Sequence, residues 1–136
     1  MNPILLDTHA ALWAFDGSLK RSVATMVDEA SRRGELLLSP ITAWEIGLLA
    51  RKRRFTLAAT LADYVRMLFA QPGVLTAPIT PAIAASSTAL PGEFHADPAD
   101  RILVATAAAF GASLVTRDKA IHNYAKATKH IRCIAC

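Results

Sequence analysis

The chain reads as an α/β protein built on a central parallel sheet of about four to five short strands flanked by helices. Three observations carry that expectation. Short apolar runs such as Ile4-Leu5-Leu6 and Ser113-Leu114-Val115 suit strands of a sheet covered on both faces. Stretches of helical periodicity separate these runs, which implies parallel β-α-β units. Cap and turn residues mark the joints, among them Ser39-Pro40, Thr80-Pro81, Asp97-Pro98, Gly34 and Gly111.

The elements follow in order. Pro3 to Asp7 reads as a buried strand, and His9 to about Phe15 as a helix ended by the turn Asp16-Gly17-Ser18. A second helix starts at Ser18 or Lys20 and runs to about Arg33, with Gly34 as its stop. Glu35 to Leu38 is the second strand. Ser39 caps the next helix, Pro40 takes its first position, and the pattern continues to about Arg53. Ala58 to Gln71 predicts an amphipathic helix closed by Pro72-Gly73, and Val74 to Ile79 a third strand. Thr80-Pro81 opens a helix through about Ala89, and Leu90 to Ala96 is a loop. Asp97-Pro98 starts a helix that lasts to about Phe110. Ala112 to Thr116, Lys119 to Ala127 and Ile131 to Ala135 then predict strand, helix and strand.

At 136 residues and 53% hydrophobic composition, the chain is expected to form one domain over residues 1–136 with a real core. No run of about 18 uncharged apolar residues suggests a membrane span. The start Met-Asn-Pro-Ile-Leu-Leu-Asp lacks the features of a signal peptide, so a cytoplasmic location is expected. Cys133 and Cys136 form a C-x-x-C too late in the chain to open a helix and too few for a structural zinc site, and read as two thiols on a last strand. The net charge of +4 is compatible with a polyanionic partner.

Four carboxylates sit where ordinary surface charges should not. Asp7 ends the first apolar run. Glu45 has Ile41, Leu48 and Leu49 at helical offsets, and Asp100 has Leu103 and Val104. Asp118 closes the run from Ser113 to Arg117. Carboxylates are rarely buried unless paired or bound to metal. In parallel sheets, ligands gather beyond the carboxyl ends of the strands, where all four acids are expected to meet. Converging carboxylates suit Mg²⁺ or Mn²⁺ rather than zinc. A basic protein with such a cleft fits metal-dependent chemistry on nucleic acid.

Each acid also has a plainer role: a strand terminus for Asp7, an exposed helix position for Glu45, a first-turn acid for Asp100 and an N-cap for Asp118. Asp97 is best read as an N-cap. The run Arg51-Lys52-Arg53-Arg54 suits either a solvated helix end or a phosphate track. Arg101 and Arg117 flank two of the acids and would orient carboxylates or contact phosphate. His9 and His95 sit near the expected cleft and read as structural or incidental, and Trp13 and Trp44 as core anchors.

The assembled residues resemble the PIN-domain ribonucleases, specifically VapC-type toxins of toxin–antitoxin pairs. The resemblance is carried by Leu6-Asp7-Thr8-His9-Ala10-Ala11-Leu12-Trp13, Ser39-Pro40-Ile41-Thr42-Ala43-Trp44-Glu45-Ile46, Asp97-Pro98-Ala99-Asp100-Arg101-Ile102-Leu103-Val104-Ala105-Thr106-Ala107 and Thr116-Arg117-Asp118, in the family's order. It implies a PIN-like three-layer fold and Mg²⁺- or Mn²⁺-dependent endonucleolytic cleavage of RNA. It implies Asp7, Glu45, Asp100 and Asp118 as the four catalytic, metal-holding acids, with Asp7 and Asp100 the principal ligands and Thr8 and Thr116 supporting them. It also implies a homodimer and a cognate antitoxin that blocks the cleft. Two positions depart from the family's pattern: Leu49 stands where relatives often carry lysine, and Ala99 where an aromatic is frequent. The first could shift RNA contacts to Arg51 or Lys52. Two rivals stand beside this reading. One is a catalytically lapsed binding protein acting in a regulatory complex. The other is a phosphoacceptor using Asp7 covalently, which would need an activating lysine and a hydroxyl near Asp7, with nothing beyond Thr116 and Lys119 to suggest them.

Overall fold

The computed structural model describes residues 2–53, 57 and 59–136. Among them, strands and helices alternate as β1 (Ile4–Leu6), α1 (Thr8–Asp16), α2 (Arg21–Arg33), β2 (Leu36–Leu38), α3 (Pro40–Arg51), α4 (Leu61–Phe69), β3 (Val74–Thr76), α5 (Pro81–Ser86), α6 (Pro98–Phe110), β4 (Ser113–Val115), α7 (Lys119–Thr128) and β5 (Arg132–Ile134). The strands form one parallel sheet in the order β3-β2-β1-β4-β5. None of these helices is long and apolar enough to cross a membrane.

Alternation along each strand divides the core in two. Leu5, Leu37 and Leu114 face one side and pack with Ile83, Leu103, Val104, Ile121 and Tyr124 from α5, α6 and α7. Ile4, Leu6, Leu36, Leu38 and Val115 face the other and pack with Leu12, Val23, Val27, Ile46 and Leu68 from α1 to α4. The three layers expected of the sequence are therefore present. Every side chain of β1 and β2 is buried, as the uniformly apolar runs required. The edges depart from that expectation. Leu75 of β3 is 49% exposed, on the edge strand of the sheet. β5 is likewise only partly covered.

Several boundaries differ from the sequence pattern. α1 begins at Thr8 because Asp7 itself supplies the cap. α3 stops at Arg51, two residues short of the expected end, and α4 begins at Leu61, capped by the Thr60 hydroxyl, rather than at Ala58. Ala58 lies outside the described residues. β3 ends at Thr76 and α5 at Ser86, both earlier than the pattern suggested. Trp44 is not the core anchor expected: it is 53% exposed, because Thr42 and Ile46 on either side of it turn inward on α3.

Candidate metal centre

β1 lies between β2 and β4, so successive crossovers leave it in opposite directions and a crevice opens at the carboxyl ends of these strands. Asp7 is the first residue past β1. Its backbone N–H donates to the Val115 carbonyl at 3.0 Å, which pins it between β1 and β4. Its side chain caps α1, accepting the Ala10 N–H at 2.8 Å, and is nearly buried. Burial pushes the Asp7 carboxyl above the usual carboxylate range. The Thr116 hydroxyl, the Ala10 amide and His9 draw it back, and Asp118 adds repulsion.

Glu45 lies on α3 behind the cap made by Ser39, whose hydroxyl accepts the Ile41 N–H at 3.1 Å with Pro40 in the first turn. The Thr8 hydroxyl donates to Glu45 Oε1 at 2.5 Å, and the fully buried Thr42 hydroxyl stands 3.3 Å from that of Thr8. Burial raises the Glu45 pKa despite this donor, with Asp97 and Asp7 adding repulsion. Asp118 caps α7 by accepting the Ile121 N–H at 3.1 Å, and its own N–H donates to the Thr116 hydroxyl at 3.0 Å.

Asp100 lies in the first turn of α6, where its N–H donates to the Asp97 side chain at 3.0 Å. Its pKa is pushed up to about 7, by burial first and then by the charges of Asp97, Asp118, Glu45 and Asp7. The four acids named from the sequence thus share one electrostatic field, drawn from one strand end and three helices. Among the described residues, however, no three Asp, Glu, His or Cys side chains stand close enough to hold an ion as they are. The donor chemistry nonetheless fits a hard divalent cation. All the converging groups are oxygen acids, and their repulsion is what such a cation would relieve. Capping does not compete with ligation outright, since Asp7 and Asp118 each give one oxygen to a backbone N–H and a carboxylate has two.

Thr8 and Thr116, expected as supports, touch Glu45 and Asp7 respectively. Asp97 caps α6 as expected and is also the leading charge acting on Asp100. Sequence reasoning passed over Thr42. Thr42 carries a signal, since it stands three residues before Glu45 on the same helical face. His95, expected as structural or incidental, has its Nε2 3.2 Å from Asp100 Oδ2. Only its place two residues before the Asp97-Pro98 cap hinted at this.

The basic residues fare differently. Arg101 makes no ion pair with the acids among the described residues. Its guanidinium donates to three backbone carbonyls, Ser87 at 2.7 Å and Phe94 and His95 at 3.1 Å each. Arg117 is exposed, with its guanidinium 4.9 Å above the Trp13 ring. Arg51, Lys52 and Arg53 are exposed at the end of α3, and Arg54 lies outside the described residues. Cys133 sits in β5 with burial pushing its thiol up to about 11, and Cys136 follows past the strand end. Both are free thiols.

Three comparisons bear on this arrangement. A family model for the PIN domain matches residues 4–127. The chain is 35% identical over 126 residues to Ribonuclease VapC22 of Mycobacterium tuberculosis, covering 91% of this chain and 93% of that protein. Among solved structures, it is similar to a toxin–antitoxin complex from Klebsiella pneumoniae at 26% identity and TM-score 0.59, covering 87% of this chain and 89% of that one. It shares the fold of VapBC2 from Rickettsia felis, solved bound to a promoter DNA fragment, at 13% identity and TM-score 0.68, covering 97% of each chain. A capped parallel sheet with acids gathered at its switch point, together with these matches, makes the chain a member of the PIN-domain family, of VapC type.

Proposed function

We propose that this protein is a Mg²⁺- or Mn²⁺-dependent endoribonuclease and the toxin of a type II toxin–antitoxin pair. The observation that carries the reading is the shared field at the switch point, where four other carboxylates help push Asp100 to about 7. Building such repulsion into a fold costs stability, and clusters of this kind mark functional sites. The similarity to a ribonuclease over most of the chain supports the substrate class.

In this reading Asp7 and Asp100 hold the cation, while Glu45 and Asp118 complete the charge around it. When bound, the ion would supply an activated water and neutralise charge on the phosphate. Thr8 keeps Glu45 in place through its 2.5 Å hydrogen bond. Thr116 joins two of the acids by bonding the side chain of Asp7 and accepting the backbone N–H of Asp118. The α1, α6 and α7 N-termini point their partial positive charge at the acids and stabilise their ionised forms. Arg51, Lys52, Arg53 and Arg117 would track the RNA backbone, and α3 carries the first of them about 9 Å beyond Glu45.

Labelled RNA incubated with the purified protein should be cut in Mg²⁺ and left whole in EDTA. Asp7→Asn and Asp100→Asn should each abolish cutting while keeping the fold. Full activity in either variant would sink the assignment. A second reading, a binding protein without turnover in a repressing complex, is favoured by one observation. Two of the acids, Asp7 and Asp118, already serve as helix caps, and no three of the four stand at ligating distance among the described residues. RNA left intact in Mg²⁺ would select it.

A homodimer and a cognate antitoxin belong to the same proposal. Exposed Trp44 on α3 and exposed Leu61 and Met67 on the adjoining α4 support such partners. Light scattering of the protein alone and with a co-expressed antitoxin tests both.

A further inference from the structure

We propose that His95 is a positioning residue for Asp100: an imidazole, fastened in the loop before α6, that holds one carboxylate oxygen and leaves the other for the cation. The inference rests on the metal-dependent reading above and deepens it by naming how one ligand is oriented.

The two ring nitrogens have different partners. Nδ1 accepts the backbone N–H of Asp97 at 3.2 Å, which leaves Nε2 as the nitrogen that donates. Nε2 stands 3.2 Å from Asp100 Oδ2 and donates to it. Asp100 Oδ1 takes no hydrogen bond among the described residues.

The loop is built to hold that ring. The Phe94 ring packs 4.2 Å from His95 and 4.8 Å from Tyr124, centroid to centroid. The Tyr124 hydroxyl donates to the Pro91 carbonyl at 2.6 Å, tying the loop to α7. Arg101, the neighbour of Asp100, donates to the carbonyls of Ser87, Phe94 and His95. One helix therefore carries both the carboxylate and the clamp on the histidine that meets it. Capping does not explain the contact. Asp97 already accepts the Asp100 N–H as the cap of α6, whereas His95 Nε2 reaches the carboxylate itself. Hydrogen-bond partners behind a metal ligand fix its direction, and losing one typically costs about 10–100-fold in metal affinity.

The test is Mn²⁺ titration of the whole protein, read by the electron paramagnetic resonance of free Mn²⁺, alongside ring ¹⁵N shifts of the metal-free protein. His95→Ala should weaken Mn²⁺ binding by about 10–100-fold. His95→Gln, which keeps an N–H donor, should recover most of that loss. The ring shifts should report the Nε2–H form, and they should move in Asp100→Asn. Unchanged Mn²⁺ affinity in His95→Ala overturns the inference alone, as does a His95→Gln protein that binds no better than the alanine variant. If the wild-type protein binds no Mn²⁺, the metal-dependent reading falls and this inference falls with it.

Discussion

Asp100 shows how a single residue can serve function against stability. Its folded pKa of about 7 lies far above the 3.8 of an unperturbed aspartate. Its protonated form therefore fits the fold, and its ionised form is resisted. The stability tied to this group is complete below about pH 4 and is lost as pH rises through 7. Asp7 and Glu45, also raised, act in the same direction. In EDTA, thermal unfolding should show the Tm falling between pH 5 and pH 8. Asp100→Asn should flatten that fall and add on the order of 2 kcal/mol at pH 8, roughly 5–10 °C in Tm. Saturating Mg²⁺ should restore the wild-type Tm at pH 8, since a ligand of the folded state alone stabilises it. The same substitution should lower RNA cleavage by about a thousandfold or more, because it removes several kcal/mol of charge stabilisation. A variant that is more stable yet inactive is the signature expected of an acid kept for chemistry; an Asp100→Asn protein with an unchanged pH profile would refute it.

At the scale of elements, the helix starts both build the fold and aim the site. Asp7, Asp97 and Asp118 each accept a backbone N–H from the first turn of the helix they precede. Ser39 does the same for α3 without entering the acid field. Ser39→Ala should cost about 1 kcal/mol in chemical denaturation, the usual worth of a cap, and leave catalysis nearly unchanged. The turn from α4 into β3 is less forgiving. Gly73 has φ +78°, and a Cβ there would lie 2.3 Å from the Ser31 carbonyl oxygen. Ser31 in turn donates to the Pro72 carbonyl at 2.9 Å, so the two segments cannot simply part. Gly73→Ala should therefore destabilise by roughly 2–4 kcal/mol, seen as a lower urea midpoint at unchanged activity per folded molecule.

Taken as a whole, the molecule sets an acidic crevice within a chain of net charge +4. That contrast lets the crevice gather cations while the outer surface attracts a polyanion. Arg51, Lys52 and Arg53 extend from α3 into solvent and make no ion pair among the described residues. Replacing all three with glutamine should weaken RNA binding at low salt. It should also reduce the slope of log affinity against log salt by about 2, the expectation for three lost contacts to a single strand. The turnover rate at saturating RNA should stay close to wild type, because these residues lie beyond the acids. A collapse of turnover instead would place them within the chemistry.

Much of this was legible in the chain itself. Apolar runs and cap residues mark most of the strands and helices, because backbone hydrogen bonding and burial act locally. The four acids stood out because a carboxylate beside an apolar element needs a reason to be there. Short-range pattern could not fix where a helix frays, as at Arg51 and Leu61, since packing decides the last turn. Nor could it tell that Trp44 faces outward, that Arg101 is consumed by carbonyls six to fourteen residues away, or that His95 turns its ring onto Asp100. The local sequence determined the elements and nominated the acids. Only the tertiary structure decided which side chains share a field, because electrostatic repulsion and burial depend on distances in space rather than along the chain.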